Sequence, residues 1–427
     1  PAGHPPPAGE APASSRLGRR DLDWTRPLMT IPSDDADAPL RIDDDDRYGR
    51  LRLIPWWRQE RLAAAKVLVV GAGALGNEVL KNLALVGVGT TYVIDMDVVE
   101  PSNLSRSVLF RAEDGGRSKA EVAARRAAEL NPEVAFLPMH GDVVNDVGLG
   151  LFAHVDLVIG CLDNREARLW VNRQCWKVGR PWIDAGIQEI QGVVKVFTPP
   201  ASACYECTMT ARDYQLLNLR YSCPLLKRDE ILAGKVPTAP TIASMMAALQ
   251  VQEALKLLHG MAVAGGTAMV FNGVGNQFYT TKLPFREDCL SHETYPTPIE
   301  LDLGRAATVG ELFAAARREG LSGPLSLGLD RELVAAVECP RCGSRREVMR
   351  PRTAVRQSEA DCRECREPAR PIVLSAIEEG SPPASRSLAD VGVPPFDVVR
   401  VDGGGSSRFF LLAGDRDGLG SAWEGLR

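Results

Sequence analysis

The sequence predicts an α/β protein built on a doubly wound, mostly parallel sheet, followed by a small cysteine-bearing β module. Three observations carry that prediction. Short β-rich runs alternate with helical patterns of roughly ten to fifteen residues between residues 66 and 200, the rhythm of strand–helix–strand crossovers. A glycine-rich turn, Gly71-Ala-Gly73-Ala-Leu-Gly76, lies between the first such strand and the first helix. Six of the ten cysteines fall in three C-x2-C pairs, two of them beyond residue 300.

The first forty-six residues are rich in Pro, Ala and Asp and end in an acidic run, Asp43 to Asp46. They hold too few apolar residues for a core and read as a disordered segment, 1–46. KVLVV (66–70) predicts a buried strand and ALGNEVLKNLALVGV a helix. TTYVIDMD (90–97) predicts a second strand and SKAEVAARRAAEL (118–130) a helix; VAFLPMH, DLVIGCLDN, PWIDAGI and VVKVFTP continue the alternation. Residues 208–240 have weak periodicity and predict a long excursion, after which PTIASMMAALQVQEALKLLHG returns to helical spacing. GTAMVFNGVGNQFYTTKL predicts a hairpin turning at Asn272-Gly273. The expected division is 47–300 for the main domain and 301–427 for the cysteine-bearing one. In the latter, TVGELFAAARREG is a short helix and the tail past 370 is a β-rich piece or a protein-docking surface.

A chain of 427 residues, 45% hydrophobic and 25% charged, has length for two or three domains. Fifty Lys and Arg against fifty-five Asp and Glu give a formal charge of −5, which disfavours a general nucleic-acid or anionic-membrane binder. No run approaches the ~18 apolar residues of a membrane span, and the N-terminus lacks the apolar stretch of a signal peptide. Cysteine usage is that of a reducing compartment, so a cytoplasmic protein with metal-binding C-x2-C pairs is expected.

Gly71, Gly73 and Gly76 permit a tight turn, close approach of a phosphate and packing of helix on strand. Asp95 ends the next strand nineteen residues later and can take a ribose hydroxyl. Alone, this Rossmann-like signature means an adenine nucleotide and would suggest an NAD(P) oxidoreductase. The following residues point elsewhere, because no hydride-transfer site accompanies the loop. Asp95, Asp97, Asn103 and Arg106 follow the second strand, Lys119 starts a helix after GRSKA, and Asp163 sits past a strand in GCLDN. Together with RYGR and a C-x2-C, these motifs in this order resemble the ubiquitin-activating-enzyme-like adenylyltransferases, the ThiF/MoeB-type sulfur-carrier activators and their ubiquitin-like-protein counterparts. The resemblance covers about residues 47–300.

That resemblance implies adenylation of a carboxylate with ATP and Mg²⁺. Arg106 and Lys119 are cations suited to phosphate charge, Asp163 is the implied Mg²⁺ ligand, Asp95 takes the ribose, and Asn103 helps fix the phosphates. Asp97 is either a metal ligand or a loop cap. Arg50, in RYGR, matches a position that reaches the partner subunit's ATP, so a homodimer is implied. Cys161 and Cys175 lie in apolar runs and read as packing.

In the resembling family a first C-x2-C pairs with a later one. Here Cys204 and Cys207 would pair with Cys289-Leu-Ser-His292, giving a zinc site of three cysteines and one histidine in which His292 departs from the family pattern. Cys339, Cys342, Cys362 and Cys365 have the C-x2-C-x19-C-x2-C spacing of a zinc ribbon and predict a second, self-contained zinc site. Cys223 lies in the excursion beside Lys227 and Arg228, which favour its thiolate; thioester-forming activators carry their nucleophile on such a crossover. The expected function is therefore adenylation of the C-terminal carboxylate of a ubiquitin-like protein. Capture on Cys223 and transfer to a ubiquitin-conjugating-enzyme-like acceptor would follow. The alternative partner is a sulfur-carrier protein for thiamine, molybdopterin or tRNA thiolation, activated without an obligatory thioester, and a non-enzymatic scaffold is the third reading.

Overall fold

The computed structural model describes residues 45–215, 237–355 and 357–419, and the chain forms two units, 1–50 and 51–427. Within the first, the Gly49 amide donates to the Asp46 carbonyl (2.9 Å), and a short helix, α1 (Gly49–Arg52), begins there.

The second unit holds two sheets. In the eight-stranded one, β1 (Lys66–Val70), β2 (Thr90–Asp95), β3 (Ala135–His140), β4 (Leu157–Gly160), β5 (Trp182–Gln188), β6 (Gln191–Phe197), β7 (Thr267–Asn272) and β8 (Gln277–Lys282) lie in the order β3-β2-β1-β4-β5-β6-β7-β8. The pairs from β3 through β5 are parallel, and those from β5 to β8 are antiparallel. The KVLVV run is continuous in apolar residues because β1 is covered on both sides. Val67 and Val69 enter one core with Leu75, Val79, Leu83, Ile242 and Met246. Leu68 and Val70 enter the other with Phe152, Leu169, Val171 and Trp182. The helices supplying these residues include α2 (Gln59–Ala64), α3 (Ala74–Val86), α4 (Lys119–Leu130), α5 (Leu149–His154), α6 (Arg165–Lys177) and α7 (Pro240–Leu258). Ser118 caps α4 at the Glu121 amide and Asn164 caps α6 at the Ala167 amide.

The β7–β8 hairpin is wider than the sequence predicts. Asn272 is the last paired residue, opposite Gln277, and Gly273 to Asn276 form the loop, with Asn276 left-handed at φ 49°. Asn276 supplies the left-handed step that Asn tolerates better than most residues.

The six-stranded sheet joins β9 (Ile299–Leu301), β10 (Leu325–Glu338), β11 (Arg345–Pro351), β12 (Arg370–Glu378), β13 (Val398–Gly403) and β14 (Ser406–Leu412). It covers α8 (Val309–Arg318), which starts with a Thr308–Glu311 capping box. The ribbon is not separate from this sheet, because β10 pairs β13 with its first half and β11 with its second. The two sheets meet where Phe396, Val398 and Leu411 join the core beneath α5. There the Arg331 guanidinium pairs with buried Asp397 (3.1 Å), donates to the Val147 carbonyl (2.9 Å) and covers the Trp170 ring. Asp397 also accepts from the Leu149 amide (2.6 Å).

Candidate functional site: a nucleotide loop, two thiol-rich knuckles

In the parallel sheet Ile94, Val70 and Gly160 are register partners on β2, β1 and β4, so the three following loops leave one edge side by side. This is the crevice at the carboxyl ends of parallel strands, where the direction of strand succession reverses around β1. Each glycine of the first loop meets a different constraint. Gly71 has φ +99°, and a Cβ there would lie 2.4 Å from the Cys161 carbonyl oxygen. A Cβ on Gly76 would lie 2.0 Å from the Gly71 oxygen, whereas one on Gly73 meets no atom within 4 Å. Gly71 and Gly76 are thus required by the fold, and Gly73 leaves open space at the start of α3, where backbone N–H groups favour an anion.

Asp95 accepts from the Ala72 amide (2.7 Å) and the Asp97 amide (2.8 Å). Burial pushes its pKa up, and Lys119 opposes the shift. Lys119, at the first position of α4, donates to Asp97 (2.9 Å). The glycine loop, Asp95, Asp97 and Lys119 are therefore one bonded group. Asn103 is buried, and its Oδ1 accepts from the Glu100 amide (2.9 Å), leaving Nδ2 as a donor. Arg106 donates to the Ser102 carbonyl (2.8 Å). Asp163 is exposed on the loop after β4 and, among the described residues, makes no hydrogen bond or ion pair. Arg50 is exposed in α1, in the other unit. Cys223, with Lys227 and Arg228, lies outside the described residues.

Sequence reasoning missed Asn77. Buried in α3, it donates through Nδ2 to the Ala72 (2.7 Å) and Gly73 (3.1 Å) carbonyls and accepts through Oδ1 from the Leu109 amide (2.9 Å). It fastens the glycine loop to the stretch carrying Asn103 and Arg106. A polar residue on the apolar face of ALGNEVLKNLALV was the available signal. Also missed was Arg168 of α6, which pairs with buried Asp184 of β5 (3.0 Å) and donates to the Ala185 carbonyl (3.0 Å). Cys161 and Cys175 have thiols pushed up by burial, as packing residues would.

Cys204, Cys207, Cys289 and His292 bring one ligand atom each within 4.8 Å of one another, and so do Cys339, Cys342, Cys362 and Cys365. In the first group the sulfurs of Cys204 and Cys289 are 3.5 Å apart and Cys207 lies 3.4 Å from His292 Nε2. The His292 ring is stacked between Trp176 (4.0 Å) and Phe285 (5.0 Å), which fixes its plane. Buried Glu206 anchors the same turn through Arg173 (2.8 Å), Tyr214 (3.0 Å) and Ser291. In the second group Cys339 and Cys365 are 3.3 Å apart and Cys342 and Cys362 3.5 Å. Its two turns are equivalent: the Gly343 amide donates to the Cys339 carbonyl and the Arg366 amide to the Cys362 carbonyl. Both residues are left-handed, at φ 71° and 56°. Soft thiolate donors, in one set of three cysteines with a histidine and one set of four cysteines, closed and without a spare position, fit structural zinc.

Residues 46–291 match the ThiF family. The chain is 34% identical over 282 residues to the adenylyltransferase and sulfurtransferase MOCS3 of Mus musculus, covering 65% of this chain and 59% of that protein. It is 39% identical over 157 residues to the SUMO-activating enzyme subunit uba-2 of Caenorhabditis elegans, covering 36% of this chain and 27% of that protein. The chain thus spans less than two thirds of the length of either relative. Among solved structures, E. coli MccB with succinimide superposes at a TM-score of 0.49 with 24% identity, covering 58% of this chain and 74% of that one. With the family matched over more than half its length, the chain belongs to the ThiF family, the ubiquitin-activating-enzyme-like adenylyltransferases.

Proposed function

We propose that the protein uses ATP to adenylate the C-terminal carboxylate of a small ubiquitin-like protein. The observation that carries this reading is the bonded group at the strand ends, in which the glycine loop is joined through the Ala72 amide to Asp95, and Asp95 through the Asp97 amide to the Asp97–Lys119 pair, with the uncommitted carboxylate of Asp163 on the neighbouring loop. In the reaction a carboxylate oxygen attacks the α-phosphorus, and the bond to the bridging oxygen of pyrophosphate breaks. Asp95 orients the ribose, and the amides at the head of α3 with Asn103 hold phosphate oxygens. Arg106 and Lys119 offset the charge that develops on the leaving pyrophosphate. Asp163, a hard oxygen donor, would hold Mg²⁺, which when bound neutralises phosphate charge. Asp97 then releases Lys119 toward the phosphates.

Arg50 is assigned to a neighbouring subunit's nucleotide in a homodimer. Residues 47–300 are the adenylating domain and 301–427 the zinc-ribbon domain. The eight Cys and His ligands require reduced thiols, which supports a cytoplasmic location, and no described helix is long and apolar enough to cross a membrane.

Cys223 is assigned the next step, attack of its thiolate on the acyl-adenylate to give a thioester and AMP, before transfer to a conjugating partner. The longer match to an adenylyltransferase and sulfurtransferase supports a second reading, a sulfur-carrier protein as substrate with no thioester. Intact mass of the protein incubated with MgATP and a candidate carrier under non-reducing conditions separates the two. A thiol-sensitive, carrier-sized adduct lost in Cys223→Ala supports conjugation. An adenylated carrier with no adduct in either protein supports the sulfur reading.

A further inference from the structure

The loop after β3, residues 141–148, stands beside the nucleotide group and is held from the C-terminal sheet. His140 is the register partner of Asp95, and the Gly141 amide donates to the Asp95 carbonyl (3.2 Å). Asp142 folds the loop by accepting from the Val144 amide (3.0 Å) and from Asn145 Nδ2 (2.9 Å). Two side chains of the other sheet reach it. The Thr353 hydroxyl donates to Asn145 Oδ1, and Arg331 donates to the Val144 and Val147 carbonyls. Arg331 lies where β10 breaks register with β12, between Gly328 and Leu333, and Arg352 pairs with Glu332 of the same bulge (2.7 Å). Arg352 and Thr353 share one short turn, Arg352–Ala354, which follows β11. Next to that turn, Val355 packs with Val334, Val337, Ala360 and Ala369, a separate core of only five buried residues. So small a core gives little order by itself, and metal on the four ribbon thiolates carries much of it.

The two thiol groups differ in access. Cys204, Cys207 and Cys289 are buried, whereas Cys342 is exposed and Cys365 partly so. The sulfurs of Cys362 and Cys365 lie 3.5 Å and 3.9 Å from that of Cys342. We propose that the ribbon thiols are an oxidation-sensitive site, whose loss of zinc frees the turn at Thr353 and weakens ATP binding. The oxidant is a peroxide. The Cys342 thiolate attacks one peroxide oxygen, the O–O bond breaks, Cys342 becomes a sulfenic acid and hydroxide leaves. The thiolate of Cys362 or Cys365 then attacks that sulfur, the S–S bond forms and a second hydroxide leaves. Each hydroxide takes a proton from solvent, so two thiolates are oxidised to a disulfide and the peroxide is reduced to water. Zinc departs with two of its four ligands gone. The inference rests on the reading of Asp95 as a nucleotide ligand and adds control of that site by the C-terminal sheet.

The test titrates the zinc-loaded full chain with hydrogen peroxide. A colorimetric chelator is expected to detect one zinc ion released per chain, with the group of Cys204, Cys207, Cys289 and His292 still loaded. Mass spectrometry should map the new disulfide to Cys342 and either Cys362 or Cys365. ATP affinity, read by calorimetry, should fall at least about fivefold and return after dithiothreitol and zinc are added. Thr353→Val should keep both zinc ions, bind ATP about threefold more weakly before any peroxide, and respond less to it. Release of no zinc or of both ions together, ATP affinity unchanged once the ribbon zinc has gone, or a Thr353→Val protein that behaves as wild type overturns the proposal. Each of these leaves the adenylation reading standing. Failure of ATP to bind the untreated protein overturns both.

Discussion

Gly73 and Gly76 stand three residues apart and should fail in different ways when a methyl group is added. At Gly76 the new Cβ would meet the Gly71 oxygen at 2.0 Å, so Gly76→Ala should cost about 2 kcal/mol or more and lower the unfolding midpoint. At Gly73 the space is open, so Gly73→Ala should leave stability within about 0.5 kcal/mol. It should nonetheless weaken ATP at least about tenfold by filling the phosphate's approach, roughly 1.4 kcal/mol of binding. Calorimetric titration beside thermal melts distinguishes the two outcomes. Asp95 carries the pH dependence. Burial raises its pKa above the usual 3.8, against the pull of Lys119, so the folded protein takes up its proton at a higher pH than an exposed carboxylate would. ATP affinity should therefore be full above that raised pKa and fall as pH drops through it, and Asp95→Asn should give weak binding with a flat acid limb. The sequence made the glycines and Asp95 legible because motif spacing encodes them. Asn77 showed only as a polar residue on an apolar helix face, and its role stayed hidden because it depends on Leu109, which only the folded chain brings to it.

At the scale of elements, the two cysteine turns of β10–β12 are the same structure built from different residues. The left-handed position after the second cysteine is Gly343 in one and Arg366 in the other. A side chain there costs about 1 kcal/mol, partly offset by the greater freedom of glycine in the unfolded chain. Arg366→Gly should accordingly stabilise the protein by about 0.5 kcal/mol, seen as a small rise in melting midpoint with zinc content unchanged. Both thiol groups should be filled together in purified protein, giving two zinc ions per chain by elemental analysis. Cys289→Ser and Cys362→Ser should each lose one. The spacing predicted the all-cysteine group unaided, since its four ligands lie within one short stretch. The group completed by His292 was legible only through family resemblance, because 81 residues separate Cys207 from Cys289. What neither spacing nor resemblance revealed is the stacking of His292 between Trp176 and Phe285.

Across the whole molecule, the doubly wound sheet was readable from alternation alone, while the way the C-terminal sheet joins it was not. That junction depends on a charge pair, Arg331–Asp397, whose members are 66 residues apart and ordinary in their local sequence. Removing Asp397 leaves a buried guanidinium with two backbone carbonyls to satisfy it, so Asp397→Ala should cost about 3–5 kcal/mol. Combining Asp397→Asn with Arg331→Met should recover at least half of that loss, because no uncompensated charge remains. Urea denaturation of the three proteins tests this.

The central claim is carboxylate adenylation at the strand ends of the first sheet. It is tested most directly by isotope exchange between pyrophosphate and ATP, using ubiquitin-like proteins with a free C-terminus and the same proteins with that carboxylate amidated. Exchange that requires the free carboxylate, and that falls at least about a hundredfold in Arg106→Ala, Lys119→Ala and Asp163→Ala (roughly 2.7 kcal/mol of barrier each), is the result expected. Exchange that proceeds equally with the amidated proteins, or that survives all three substitutions, would contradict it.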